Sequence, residues 1–121
     1  MPIVYVVQEP MKKQRGKVVS SMNLTTAEVY GELRCLLEWR DMQTLAIQPT
    51  IWKLRKGLSN FTDEDYLLAV GHPMAIGLAT AIACTVNRGR IQMLYWDKDN
   101  RGYVSVRGDI YRGGTRRWKD A

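Results

Sequence analysis

Runs and alternations of apolar positions predict most of the elements of this chain. Ile3, Val4, Tyr5, Val6 and Val7 form an unbroken apolar run that stops at Glu9-Pro10, the pattern of a strand covered on both faces and followed by a turn. Residues 12–27 are polar and predict irregular chain, with a short strand at Val18-Val19 the one candidate element. Between Gly31 and Glu38, Leu33, Cys35 and Leu37 recur at period two and favour a strand with those three on one face, although residues 27–39 can also be written as a helix. Residues 44–47 read as a short strand or a loop. Pro49 then fits the first turn of a helix running to about Leu58, with Ile51, Trp52, Leu54 and Leu58 on one side and Gly57 near its end.

A second short apolar run, residues 66–70, is bounded by acidic residues before it and by Gly71-His72-Pro73 after it, as expected of a buried strand entering a tight turn. Pro73 stands where a first helical residue belongs. Small residues Ala75, Gly77, Ala79, Ala81 and Ala83 follow among Ile76, Leu78 and Ile82, so this helix is expected to approach a sheet closely, with Gly77 helping it do so. Asn87-Arg88-Gly89 supplies a left-handed stop. Residues 91–96 predict a strand with Ile91, Met93 and Tyr95 on one face and Leu94 and Trp96 on the other; residues 97–102 turn, and 103–106 return as a strand. The order strand, strand, helix, strand, helix, strand, strand, without internal repeat, predicts an α/β single domain: a mixed β-sheet of about five strands with two packed helices and a C-terminal β-hairpin. Its expected bounds are residues 1–110, with 12–27 a mobile loop or hairpin and 111–121 a basic flexible tail.

Composition adds limits rather than elements. With 121 residues, 45% hydrophobic and 25% charged, the chain is long enough to bury a core without metal or disulfide support. Its longest mainly apolar stretch, residues 74–86, falls well short of the ~20 residues that span a bilayer, and the N-terminus lacks the features of a signal peptide, so a cytoplasmic, non-membrane protein is expected. Cys35 and Cys84 lie in apolar surroundings without paired spacing and are expected to be buried free thiols. The single His72 excludes any mechanism or metal site needing two histidines from one chain, and no serine sits in a nucleophile-elbow pattern. No cofactor, no metal and no catalytic residue is therefore assigned. Asp63-Glu64-Asp65 reads as a solvated turn entering a strand.

Charge changes the picture more. The net charge is +6, but Lys12, Lys13, Arg15 and Lys17 supply +4 after the first strand and Arg112, Arg116, Arg117 and Lys119 supply +4 at the C-terminus, leaving ten basic residues against twelve acidic ones elsewhere. The predicted core is not basic; its appendages are. Residues 111–119 interleave arginine, glycine, Tyr111 and Trp118, a composition that suits either a solubilising terminus or a segment that holds phosphates while stacking a ring on a base.

Three further constellations carry candidate chemistry. Val70-Gly71-His72-Pro73-Met74 is a strand, a glycine turn and a helix N-terminus, a geometry that can receive an anion at Gly71, His72 and Met74, yet it lacks the P-loop lysine and the full dinucleotide glycine pattern. Tight strand-to-helix packing, with Gly71 allowing the turn and Gly77 close approach, is the favoured reading of it. Arg88 and Arg90 stand at a helix C-terminus, where the dipole favours cations and where they could meet a partner's phosphates or acids. Tyr95, Trp96 and Tyr103, with Arg101 and Arg107 nearby, offer either a stacking surface or cross-strand core pairs.

The combination Asp65-Tyr66-Leu67-Leu68, Val70-Gly71-x-Pro73-x-x-Ile76-Gly77-x-Ala79-x-Ala81-Ile82-Ala83, then Asn87-Arg88-Gly89-Arg90, then Leu94-x-Trp96-Asp97 and Tyr103, resembles a family of small, uncharacterised proteins of tailed bacteriophages. The resemblance covers residues 49–110 well and 3–9 more loosely. His72, where the family would usually show an acidic residue, and the 112–119 tail depart from it. The resemblance implies a setting, phage infection and the host cytoplasm, but no reaction. The function expected is a non-enzymatic phage protein that binds and modulates a host or phage macromolecule, with the transcription or replication machinery favoured and a protein of nucleic-acid metabolism as the expected partner. The alternatives are single-stranded DNA or RNA binding through the basic appendages and the hairpin aromatics, or an anionic-ligand sensor or enzyme built on the Gly71 turn; the residues expected to meet a partner or nucleic acid are Lys12, Lys13, Arg15, Lys17, Arg88, Arg90, Arg101, Arg112, Arg116, Arg117 and Trp118.

Overall fold

The fold was determined as a computed structural model, which describes residues 2–20, 22–42 and 46–112. Its strands and helices are β1 (Ile3–Gln8), β2 (Met11–Gln14), β3 (Lys17–Ser20), β4 (Glu32–Leu37), α1 (Gln48–Gly57), β5 (Tyr66–Leu68), α2 (Pro73–Val86), β6 (Arg90–Asp97) and β7 (Gly102–Asp109), with a 3₁₀ segment at Thr25–Tyr30. Five strands form one sheet in the order β4-β1-β5-β6-β7, and β2 and β3 pair only with each other. The first four strands of the large sheet run parallel; β7 returns antiparallel to β6 over eight consecutive pairs, from Arg90↔Asp109 to Asp97↔Gly102. This is the mixed α/β domain that the periodicity predicts.

Strand β1 lies inside the sheet, between β4 and β5, and its apolar run is covered on both faces. Val4, Val6 and Val7 are wholly buried and Tyr5 nearly so. Tyr5 and Val7 face α1 and α2 in a core with Leu54, Leu58, Phe61, Leu67 and Ile91, whereas Val4 and Val6 face Ala27, Leu68, Leu94 and Tyr103 beneath the 3₁₀ segment. The chain steps from β1 to β4 over the 3₁₀ face and back from β4 to β5 over the helical face. Opposite directions of travel on opposite faces are what right-handed crossovers require. Two tyrosines latch the 3₁₀ side: Tyr30 Oη donates to the Tyr103 carbonyl at 3.1 Å, and Tyr103 Oη to that of Asn23 at 3.3 Å. Burial pushes the Tyr103 phenol above its ordinary pKa.

Several expectations are corrected. Residues 12–14 and 17–20 are not irregular but pair in the β2-β3 hairpin, β3 taking in the strand expected at Val18-Val19, and a 3₁₀ segment follows from Thr25; Arg15 and Gly16, both at positive φ, make the two-residue loop, as a type I′ turn requires. The 44–47 strand or loop falls partly outside the described residues, and Ala46 and Ile47 belong to no strand. In α1, Leu54 and Leu58 are fully buried but Trp52 is 61% exposed, because one helix over a sheet buries only a narrow stripe. Close approach of α2 to the sheet comes from Ala75, Ala79 and Ala83, all wholly buried; Gly77 points outward, with nothing within 4 Å of where its Cβ would sit. Cys84 is buried, whereas Cys35 is exposed, because β4 is an edge strand that neither layer fully covers. Burial, then Asp109, pushes the Cys84 thiol up; partial desolvation, then Glu9, does the same to Cys35.

The acidic run is likewise more than a solvated turn. Asp65 is buried: its Oδ1 accepts from the Ile3 N–H at 3.0 Å, and its Oδ2 accepts from the Thr62 N–H at 2.9 Å and from Thr62 Oγ1 at 3.0 Å. It fastens the start of β1 to the approach to β5. Tyr5 lies in its field, and burial followed by the Asp65 charge raises that phenol's pKa against the opposing pull of Arg34. No helix among the described residues is long and apolar enough to cross a membrane.

Candidate interaction site at the carboxyl edge

Travel reverses at β1: the chain goes one way to reach β4 and the other to reach β5, so the ends of these strands diverge and leave a crevice outside their carboxyl termini. In open α/β sheets this topological switch point is where ligands bind. Here the crevice measures about 470 Å³, within the ~300–1,000 Å³ typical of binding clefts. Gln8 and Glu9 from the end of β1, Trp39 and Met42 after β4, Val70, Gly71 and His72 after β5, and Pro10, Met11 and Met22 from the base of the β2-β3 hairpin line it.

Gln8 holds these pieces together. Its side chain is buried; Nε2 donates to the carbonyls of Glu38 at 3.1 Å and Trp39 at 3.4 Å, and Oε1 accepts the His72 N–H at 2.8 Å. Backbone bonds reinforce the junction: Gln8 N–H donates to the Val70 carbonyl at 3.1 Å and Glu9 N–H to that of Leu37 at 2.8 Å. Gly71 has φ +122°, and a Cβ there would collide with Gln8 Cβ, so only glycine allows the turn and the glutamine together. His72 caps α2, its Nδ1 accepting the Met74 N–H at 3.1 Å, the role an acidic or hydroxyl side chain usually fills. The nitrogen that faces the helix end is thereby committed. Met74 itself is 56% exposed.

Above the crevice stands the hairpin. Every residue from 12 to 18 is exposed, and its strands have no neighbours but each other. Register places Lys12 opposite Val19 and Gln14 opposite Lys17 on one face, and Lys13 opposite Val18 on the other; Arg15 sits in the turn. Apart from Lys12, Lys13, Arg15 and Lys17, the described residues carry equal numbers of basic and acidic side chains, so the net positive charge of the described protein sits on this projection.

The other predicted cations are elsewhere. Arg88, Arg90 and Arg112 lie at the opposite, amino end of the sheet. Arg88 takes φ +57° just past α2, and the Gly89 N–H closes the helix on the Cys84 carbonyl at 2.7 Å, the expected left-handed stop. Arg90 Nε is buried 3.0 Å from Asp63 Oδ1 with its N–H not aimed at it, an ion pair rather than a hydrogen bond. Arg112 reaches Asp109 at 3.9 Å. Arg101, exposed at φ +49° in the β6-β7 turn, is at the carboxyl end but two strands away from β1. Arg107 Nε donates to Gln92 Oε1 at 2.7 Å. Arg116, Arg117, Trp118 and Lys119 lie outside the described residues. The aromatic stacking surface does not form: Trp96 meets buried Tyr103 edge-on at 5.1 Å, while Tyr95 lies on the other face.

Sequence reasoning singled out Gly71, His72 and the hairpin lysines but not Gln8, Trp39 and the methionines that line the crevice with them. The only sequence signal for Gln8 is an amide at the end of an apolar strand, and Trp39 and the methionines carry none. Among the described residues no three His, Cys, Asp or Glu side chains gather as a metal site.

A family match decides the origin: residues 2–110 fit the family described as Phage Pam3 gp32-like protein. The chain belongs to that family. The Pam3 gp32-like match takes in β1, the hairpin and the whole crevice, and ends before the basic tail. No curated protein and no solved structure matches the chain.

Proposed function

We propose that this Pam3 gp32-like protein is a non-enzymatic binding protein of phage infection that docks on an acidic host or phage protein through the β2-β3 hairpin. One observation carries the proposal: four exposed cations stand on a two-stranded ribbon that pairs with no strand of the main sheet and leaves every residue from 12 to 18 exposed. An isolated hairpin is marginal in water, and four like charges on it add repulsion, so the limited packing at its base does not explain its presence. A partner that neutralises those charges does. Membership of a phage family supports an encounter during infection, and modulation of transcription or replication is the outcome this reading favours.

A nucleic-acid partner is the second reading, since a two-stranded ribbon fits a major groove. It accounts for fewer features. Phosphate tracking calls for a continuous basic surface, but Arg90 and Arg112 are beside acids at the other end of the molecule and Glu9 lies in the crevice at the hairpin's base. Capture from lysate with tagged protein, with and without nuclease, separates the two. The protein reading expects one nuclease-resistant partner that is lost on Lys12→Glu with Lys17→Glu. Capture that vanishes with nuclease and falls steeply with salt would replace it with the nucleic-acid reading.

A further inference from the structure

The crevice beneath the hairpin has a chemistry of its own. Three of the chain's six methionines, Met11, Met22 and Met42, line it together with Trp39, and all four are only half-buried. Such side chains would ordinarily be covered. Methionine is flexible and polarizable, and it recurs on surfaces that adapt to bulky apolar groups. The walls carry one charged group, the Glu9 carboxylate, and no lysine or arginine, so a phosphate placed here is repelled rather than held. Cations begin only at the rim, where the Arg40 guanidinium lies 5.6 Å from the centre of the Trp39 ring and the hairpin rises from Met11.

We infer that the crevice receives one bulky apolar side chain, aromatic or leucine-like, from an acidic segment of a partner protein, whose flanking carboxylates lie along Lys12, Lys13, Arg15 and Lys17. This rests on the proposed docking function and specifies its partner: acidic residues on both sides of a single apolar anchor. The arrangement is that of an interface hot spot, an anchor in a dry pocket surrounded by a charged rim. Gln8 prepares the floor: all the hydrogen bonds of its amide are made within the protein, so an entering apolar group strips no polar atom of a partner there.

The test uses the full chain and four labelled dodecapeptides with an acidic background that differ only in the central residue, Phe, Leu, Ser or Lys, read by fluorescence anisotropy beside a twelve-nucleotide thymidine oligomer. The expected result is a preference of roughly tenfold or more for Phe and Leu over Ser. Met11→Asp, at the hairpin base outside both cores, should abolish that preference while charge-dependent binding persists. Met42→Ser, with folding checked by circular dichroism, gives an independent second variant. Binding that follows peptide charge but ignores the central residue would overturn the crevice inference and leave the hairpin reading intact. Binding of the oligomer with none of the peptides would overturn both.

Discussion

The two ends of the sheet treat charge in opposite ways. At the amino end, Asp65 is buried with three donors, Asp63 is held by Arg90 and by Asn87 Nδ2 at 2.8 Å, and Arg112 leans on Asp109. Charges there close the structure. At the carboxyl end, four exposed cations project on a ribbon outside the main sheet, and half-exposed methionines and Trp39 surround a crevice whose backbone is tied down by a buried glutamine. The comparison teaches that Arg90 and Arg112 at the amino end are paired with acids of the fold, whereas the hairpin cations at the carboxyl end stand in solvent, where the proposed docking would use them, although a count of basic residues treats them alike.

Substitutions can break this contrast, and the largest effect is expected at Gly71. Gly71→Ala drives a Cβ into Gln8 at a positive φ, so it should cost about 2–3 kcal/mol and lower Tm by roughly 10 °C in calorimetry. Asp65→Ala should come close behind, at about 2 kcal/mol, since it leaves the buried Ile3 and Thr62 donors without their acceptor. An unchanged urea midpoint for Asp65→Ala would remove the amino end's structural role.

The difference in legibility between these two ends has a physical cause. Strands β1 and β5 were readable as unbroken apolar runs, β6, β7 and both helices from the spacing of their apolar positions and the turns between them, and the turn at Gly71 from its Gly-His-Pro sequence. Hairpin β2-β3 leaves most of both faces exposed, so it shows no period, and its turn is Arg15-Gly16 rather than the Asn-Gly that signals such loops. Trp52 and Gly77 were misplaced because helical periodicity marks an apolar side but not how wide a stripe the neighbouring layers cover. The crevice joins residues 8–11, 22, 39–42 and 70–72 through contacts such as Gln8 to His72, which no local pattern encodes.

Smaller effects sharpen the comparison. Gly77→Ala, on the open side of α2, should raise stability by about 0.5–1 kcal/mol, because it adds helix propensity where no atom is displaced. A loss of stability would mean that this flank is covered. The two thiols should separate cleanly in alkylation of the native protein: Cys35 reacts, slowly at neutral pH because its raised pKa keeps it protonated, and faster as pH rises toward that pKa, whereas Cys84 reacts only on unfolding. Lys12→Glu with Lys17→Glu should change stability by less than about 0.5 kcal/mol, since neither side chain packs on the body.

The most direct measurement places a photo-crosslinking amino acid at Arg15, on the hairpin turn, or at Arg88, at the opposite end of the sheet, and irradiates each full-length protein in extracts of infected cells. The account predicts one discrete protein adduct from position 15, resistant to nuclease, and none from position 88. Adducts from position 88 alone, or a position-15 adduct that proves to be nucleic acid, would contradict it.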